Sequence, residues 1–207
     1  MQVHEFVDEG LGHSSYVIDL GDGTAAVVDP PRFPTEHGAL IDRAGLDLRW
    51  AIDTHSHADY VSGSPGLAAR RGITFIAPAA SNLETPHQAI RDGEQIALAT
   101  DVTLTAIATP GHTPDHHAYA LEVDGVPVAL FTGGSLMVGT VGRTDLCGPE
   151  LAVGLLPSMA DRRRENPSAR AGTPFRRTLR PVSVSAAVRC DGHRSPRDTC
   201  PEPARRS

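Results

Sequence analysis

Within seven consecutive residues, Thr54-His55-Ser56-His57-Ala58-Asp59-Tyr60 offers two imidazoles, a carboxylate and a phenol. Neutral imidazole and carboxylate oxygen suit Zn²⁺ and Fe²⁺, and a loop can turn such close neighbours toward one point. A lone histidine is usually structural or solvated. Two at i and i+2, with Asp at i+4, are less readily explained that way. A second stretch, Thr109-Pro110-Gly111-His112-Thr113-Pro114, exposes His112 after a glycine that permits a tight turn. His55, His57 and His112 are therefore expected at the centre of a metal site whose donors suit Fe(II) or Zn(II). Asp59 is a candidate catalytic base or an outer partner that holds a ligand histidine. Asp115, His116 and His117 follow the second loop directly, and at least one of them is expected to face solvent. His4, His13, His37 and His87 lack ligand spacing and receive no role.

Both loops need strands behind them. Leu48–Asp53 is a short apolar run of strand length that ends at the first loop, and Val102–Ala108 alternates into the second. Upstream, Val3, Glu5 and Val7 alternate. Ser15–Leu20 then turns at Gly21-Asp22-Gly23 into Thr24–Asp29, a β meander. Thr35 is placed to cap a helix running to about Ala44, and Pro65 opens a second helix through Arg71 that Gly72 stops. Ile73–Ala77 is the next strand. Asp92-Gly93 starts a hairpin, and Asp124-Gly125 joins His117–Val123 to Val126–Thr132. Another helix is expected from about Pro149. Hairpins and strand–helix–strand units together predict mixed sheets covered by helices, an α/β (α+β) fold.

Charge divides the chain. Residues 1–160 carry a net −13 and residues 161–207 a net +7, and lysine is absent throughout. The basic segment holds six prolines and no apolar periodicity beyond Val182-Ser183-Val184. That composition predicts disorder, and without stacking aromatics it argues against nucleic-acid binding. No apolar run reaches the roughly 18 residues of a membrane span, and no secretory signal opens the chain, so a cytoplasmic location is expected. Cys147, Cys190 and Cys200, odd in number and without CxxC spacing, read as free thiols.

His55-Ser56-His57-Ala58-Asp59-Tyr60 resembles the HxHxDH signature of the metallo-β-lactamase superfamily, and Gly111-His112-Thr113 resembles its second metal loop. Asp29 stands where that family places a structural aspartate, and the signature makes Asp59 a candidate ligand of a second metal. The resemblance covers roughly residues 1–155 and implies an αββα sandwich with the metal at one edge. It divides the chain into a domain over 1–156 and a tail over 157–207, with the sandwich incomplete at its C-terminus and the chain truncated or frameshifted near 156. Val61-Ser62-Gly63-Ser64, Phe131-Thr132-Gly133-Gly134-Ser135-Leu136 and Gly142-Arg143-Thr144-Asp145 are similar to the persulfide dioxygenases. Those enzymes oxidise glutathione persulfide with one iron and O₂.

The resemblance thus implies a small thiol or glutathione conjugate as substrate, with Arg143 pairing to a glutathione carboxylate, and a homo-oligomer is compatible with it. The alternatives are a hydroxyacylglutathione hydrolase-like metallo-hydrolase and an inactive truncated domain. Three positions depart from the family. Tyr60 replaces the final histidine of the signature, Gly134 replaces a metal-bridging aspartate, and a late histidine is missing, His193 being a tail residue. These departures favour a mononuclear site.

Overall fold

Val17, Val27 and Ala51 alternate with Ile18, Val28 and Ile52 along three adjacent strands, and all six side chains are buried. Such unbroken apolar runs mark a sheet covered on both faces. In the computed structural model, which describes residues 1–8, 10–137 and 140–141, these strands lie inside a six-stranded sheet of order β1-β2-β3-β4-β5-β6. The strands are β1 (Gln2–Asp8), β2 (His13–Asp19), β3 (Thr24–Val28), β4 (Asp47–Ile52), β5 (Thr74–Pro78) and β6 (Gln88–Ile90). The first three form the antiparallel meander, and β3 through β6 run parallel. Parallel neighbours need crossovers. Helix α1 (Thr35–Ala44) links β3 to β4, and α2 (Ser64–Arg71) links β4 to β5.

A second sheet, order β10-β9-β8-β7, is antiparallel. Its strands are β7 (Gln95–Ala97), β8 (Val102–Ala108), β9 (His117–Val123) and β10 (Val126–Phe131). Asp124 (φ 50°) and Gly125 (φ 73°) make the tight turn between β9 and β10, a backbone that Asp-Gly adopts readily. The pair β11 (Leu136–Met137) and β12 (Thr140–Val141) follows. Ile18, Val28, Ile52 and Ile76 from the first sheet meet Leu104, Tyr119, Leu121 and Phe131 from the second in one core. Val17, Val27 and Ala51, on the opposite face, pack with Ile41 of α1 and Leu67 of α2. Each such aliphatic side chain contributes about 1.5–3 kcal/mol when fully buried. The architecture is mixed α/β with two packed sheets.

Two local expectations change. Thr35 is the first helical residue rather than the cap. Pro34 holds the cap position and makes no side-chain bond, and Glu36 supplies negative charge to the first turn instead. Strands β6 and β7 are three residues each, too short to show a period of two. No helix among the described residues is long and apolar enough to cross a membrane. Arg143, the helix from Pro149, the boundary at 156, and the tail with its cysteines and His193 lie outside the described residues, as does Cys147.

Candidate metal centre

Chain ends of both sheets converge on one spot. Loop 53–60 leaves the C-terminal end of β4, Asp29 leaves the end of β3, and the β8–β9 connection brings His112 and His116. The carboxyl ends of parallel strands are where open α/β sheets gather ligands. Asp29 is the organising residue. It is 2% exposed and holds φ 49°, a backbone region that non-glycine residues seldom occupy. One carboxylate oxygen, Oδ1, accepts from the Thr54 backbone N–H (2.7 Å) and from His57 Nε2 (3.1 Å), while Oδ2 accepts from Thr54 Oγ1 (2.8 Å). Tyr60 donates to the Asp29 carbonyl (3.3 Å), and its oxygen lies 2.9 Å from His57 Nε2. His13 Nε2 reaches the same carbonyl at 2.8 Å, and its ring leans on Tyr60.

This network fixes the tautomers. The Thr54 hydroxyl proton goes to Asp29, so Thr54 Oγ1 accepts from His55 Nδ1 at 2.8 Å, leaving His55 Nε2 bare. His57 gives its Nε2 proton to Asp29, and its Nδ1 has no hydrogen-bond partner among the described residues. A ring nitrogen held by a polar partner, with the other left open, is how a ligating imidazole is oriented. The rings are also adjacent. His55 lies 4.1 Å from His57, 4.9 Å from His112 and 4.8 Å from His116, centroid to centroid. The donor chemistry of these rings suits a divalent ion, although their ligand atoms are not gathered as tightly as an ion would draw them.

Electrostatics separates the two rings, His55 and His57. Burial pushes the His55 pKa well below its usual value, and the neighbouring imidazoles push it further, so the ring is neutral. Burial brings His116 down to about 3. Burial opposes charge on His57 as well, but the adjacent Asp29 carboxylate outweighs it and raises the pKa. Tyr60 is raised by burial and by Asp29, which keeps the phenol neutral and a poor metal ligand. Burial lifts Asp53 to about 6, although Ser62 and Ser64 both donate to its Oδ1.

Among the described residues, the set of potential ligand atoms lying within 4.8 Å of one another is Asp29, Asp53 and His57. The three predicted histidines do not form a set that tight. Asp29 is nonetheless fully engaged by Thr54 and His57, so an ion drawn to it would have to break those bonds. Asp29 is better placed to hold His57 than to bind an ion itself.

The structure places the two histidine-bearing loops side by side and adds residues that spacing did not name. His55 lies against both His57 and His112. Asp59 is exposed and makes no hydrogen bond among the described residues; its charge acts on His57 and Tyr60. Asp115, His116 and His117 are all buried, at 5%, 0% and 6% exposure. The expectation that one of them faces solvent fails because each is anchored. Asp115 accepts from the Ser56 backbone N–H and hydroxyl, His116 bonds Thr109 and Ser135, and His117 Nδ1 bonds the Asp115 carbonyl. His13 joins the cluster although its spacing gave no sign of it. His116, four residues past His112, carried a signal that was there to read.

Residues 8–171 match the metallo-beta-lactamase superfamily profile. The chain belongs to the metallo-beta-lactamase superfamily. A hydroxyacylglutathione hydrolase of Cupriavidus taiwanensis is 33% identical over 139 residues, 62% of this chain and 52% of that protein. The hydroxyacylglutathione hydrolase of Brucella anthropi is 28% identical over 145 residues, 69% of this chain and 54% of its own. The chain spans about half the length of these curated relatives. The crystal structure of a metallo-beta-lactamase from Staphylococcus aureus superposes with a TM-score of 0.73 at 26% identity, covering 82% of this chain and 53% of that one. ETHE1 from Myxococcus xanthus superposes at 0.66 with 24% identity, over 82% and 84% of the two chains, a likeness of fold.

Within the superfamily fold, Gly134 has a local cause. A Cβ built there would lie 2.4 Å from His112 Cδ2 and 2.6 Å from its Nε2. The His112 ring occupies the space through which a side chain at 134 would leave the backbone.

Proposed function

We propose that the chain is a metal-dependent hydrolase acting on thioesters of glutathione or a similar small thiol, with one divalent ion held by His55, His57 and His112. The observation that carries this reading is the tautomer pattern: His55 and His57 each have one nitrogen tied to Thr54 or Asp29 and the other open. The hydroxyacylglutathione hydrolases among its relatives support the substrate class. When bound, the ion would acidify water and polarise a carbonyl. The chain's residues do the rest. Asp29 holds His57 directly and His55 through Thr54, so a single carboxylate orients two ligands. Neutral Tyr60 occupies the His57 Nε2 side and adds no charged ligand, which favours one ion over two. Asp59, exposed beside Tyr60, is the carboxylate available to exchange protons with solvent, and Arg143 is a candidate partner for a substrate carboxylate.

A second reading, oxidation of a glutathione persulfide with Fe(II) and O₂, is favoured by the one-metal character that Tyr60 and Gly134 give the site. The two separate in one comparison. Full-length protein loaded with Zn²⁺ or Fe²⁺ is assayed for loss of a hydroxyacylglutathione thioester and for O₂ uptake with glutathione persulfide. Thioester cleavage that stops on chelation is expected. O₂ uptake without thioester cleavage would replace the hydrolase reading with the oxidative one.

A further inference from the structure

Residues 1–160 hold seven arginines and no lysine against twenty carboxylates. Three of the seven, Arg32, Arg70 and Arg71, line one cavity of about 310 Å³, and among the described residues no carboxylate lines it. The cavity lies on the helix face of the first sheet. Its floor is Val27, Ile41, Leu48 and Leu67, from the apolar cluster beneath α1 and α2. None of His55, His57 and His112 lines it. At its rim Phe33 is 76% exposed, with the Arg32 guanidinium carbon 5.3 Å from the ring centroid.

Ordinary helix chemistry accounts for part of this. Arg70 and Arg71 stand in the last turn of α2, where cations suit the helix dipole, and Arg71 reaches Asp42 at 3.8 Å. It does not account for Arg32, which precedes α1. Neither Arg32 nor Arg70 has an acidic partner among the described residues. Arg70 lies back along its helix, where a Cβ on Gly66 would come within 2.9 Å of its Nη1. His37 supplies an independent sign. It lines the same cavity at 4% exposure, with Nε2 2.8 Å from Ser15 Oγ. Its Nδ1 is buried and has no partner among the described residues. Gly38, also in the lining, has open space where a Cβ would stand.

We infer that this cavity binds a small amphipathic carboxylate, its head taken by Arg32 and Arg70 and its hydrocarbon laid on Val27, Ile41, Leu48 and Leu67. The planar guanidinium fork matches a carboxylate, and apolar floor atoms favour a chain over water. A bound anion selects the His37 tautomer in which Ser15 donates to Nε2 and Nδ1 carries a proton to give. The volume stands at the small end for ligand pockets, which limits the guest to a short chain. The site is independent of any ion at the histidine cluster.

The full-length protein is titrated with hexanoate, 1-hexanol and inorganic phosphate, followed by NMR of the arginine side-chain N–H groups. Hexanoate is expected to shift the Arg32 and Arg70 signals with a dissociation constant of about 5 mM or tighter. Hexanol and phosphate are expected to bind at least about fivefold more weakly. Arg70→Gln should weaken hexanoate binding at least about fivefold and leave the melting temperature of the free protein unchanged. Gly38→Leu should fill the cavity and abolish hexanoate binding, while the gain in helix propensity holds or raises the melting temperature. Hexanoate that fails to bind, hexanol or phosphate that binds as well, or either variant binding hexanoate within twofold of the parent would overturn the inference. Should Gly38→Leu fail to fold, Arg32→Gln takes its place, and binding within twofold there would overturn it equally.

Discussion

On the Asp29 side of the histidine cluster, the inward groups are tied into one hydrogen-bonded network: Asp29 to Thr54 and His57, Tyr60 and His13 to the Asp29 carbonyl. On the His116 side, a fully buried ring nitrogen has no partner among the described residues, and the backbone opposite is two glycines. The same residue type is used for two purposes. Where partners are complete, histidine is being positioned. Where one nitrogen stays bare inside the protein, as at His116 Nε2, His117 Nε2 and His37 Nδ1, no described residue offsets its desolvation.

The largest effect should come from breaking the complete side. Asp29→Ala removes the acceptor for three buried donors at once, one on a histidine whose pKa Asp29 raises. A loss of about 3–5 kcal/mol is expected in urea unfolding of the metal-free chain. A loss below about 1 kcal/mol would mean the network is not what holds the loop. The glycine side should respond differently. Gly134→Ala drives a methyl into the His112 ring, so a stability cost of about 1–3 kcal/mol should accompany weaker metal binding. Unchanged Zn²⁺ affinity would show that His112 is not a ligand.

His37 separates burial from site chemistry. It is a buried neutral histidine that stacks on Phe6 and bonds Ser15, outside the cluster, and burial lowers its pKa to about 4. The unfolded chain takes up that proton near pH 6.5, whereas the native state resists it until about 4. Its contribution is therefore complete above pH 6.5 and is lost as pH falls toward 4, by on the order of 1–3 kcal/mol. His37→Asn should flatten the stability profile in that window and leave metal affinity alone. A steeper profile would reverse the sign assigned here. Smallest is Tyr60→Phe, which removes one hydroxyl that supports His57. About 0.5–1.5 kcal/mol of stability should go, with a minor fall in metal affinity. A second ion bound by this variant would show that the phenol was what excluded it.

The loops that carry the cluster were legible because short spacing, His55 to His57 and Gly111 to His112, is a local property of the chain. Strands β2 to β5 and β8 to β10 were legible through apolar runs, alternation and the Asp124-Gly125 turn. Strands β6 and β7 were not, since three residues cannot show a period. The roles of Asp29 and His13 depended on which strand ends meet, and this is set by parallel pairing across a sheet rather than by nearness in sequence. The burial of Asp115, His116 and His117 was misjudged for a related reason. Strand alternation predicts one outward residue, but the β8–β9 connection folds back under loop 53–60, where Ser56 binds Asp115.

Metal titration of the full-length, metal-free protein alongside its His55→Asn variant tests the central claim most directly. One ion bound per chain, with binding lost in the variant while the metal-free fold persists, is the predicted result. Two ions per chain, or one ion bound equally well without His55, would contradict it.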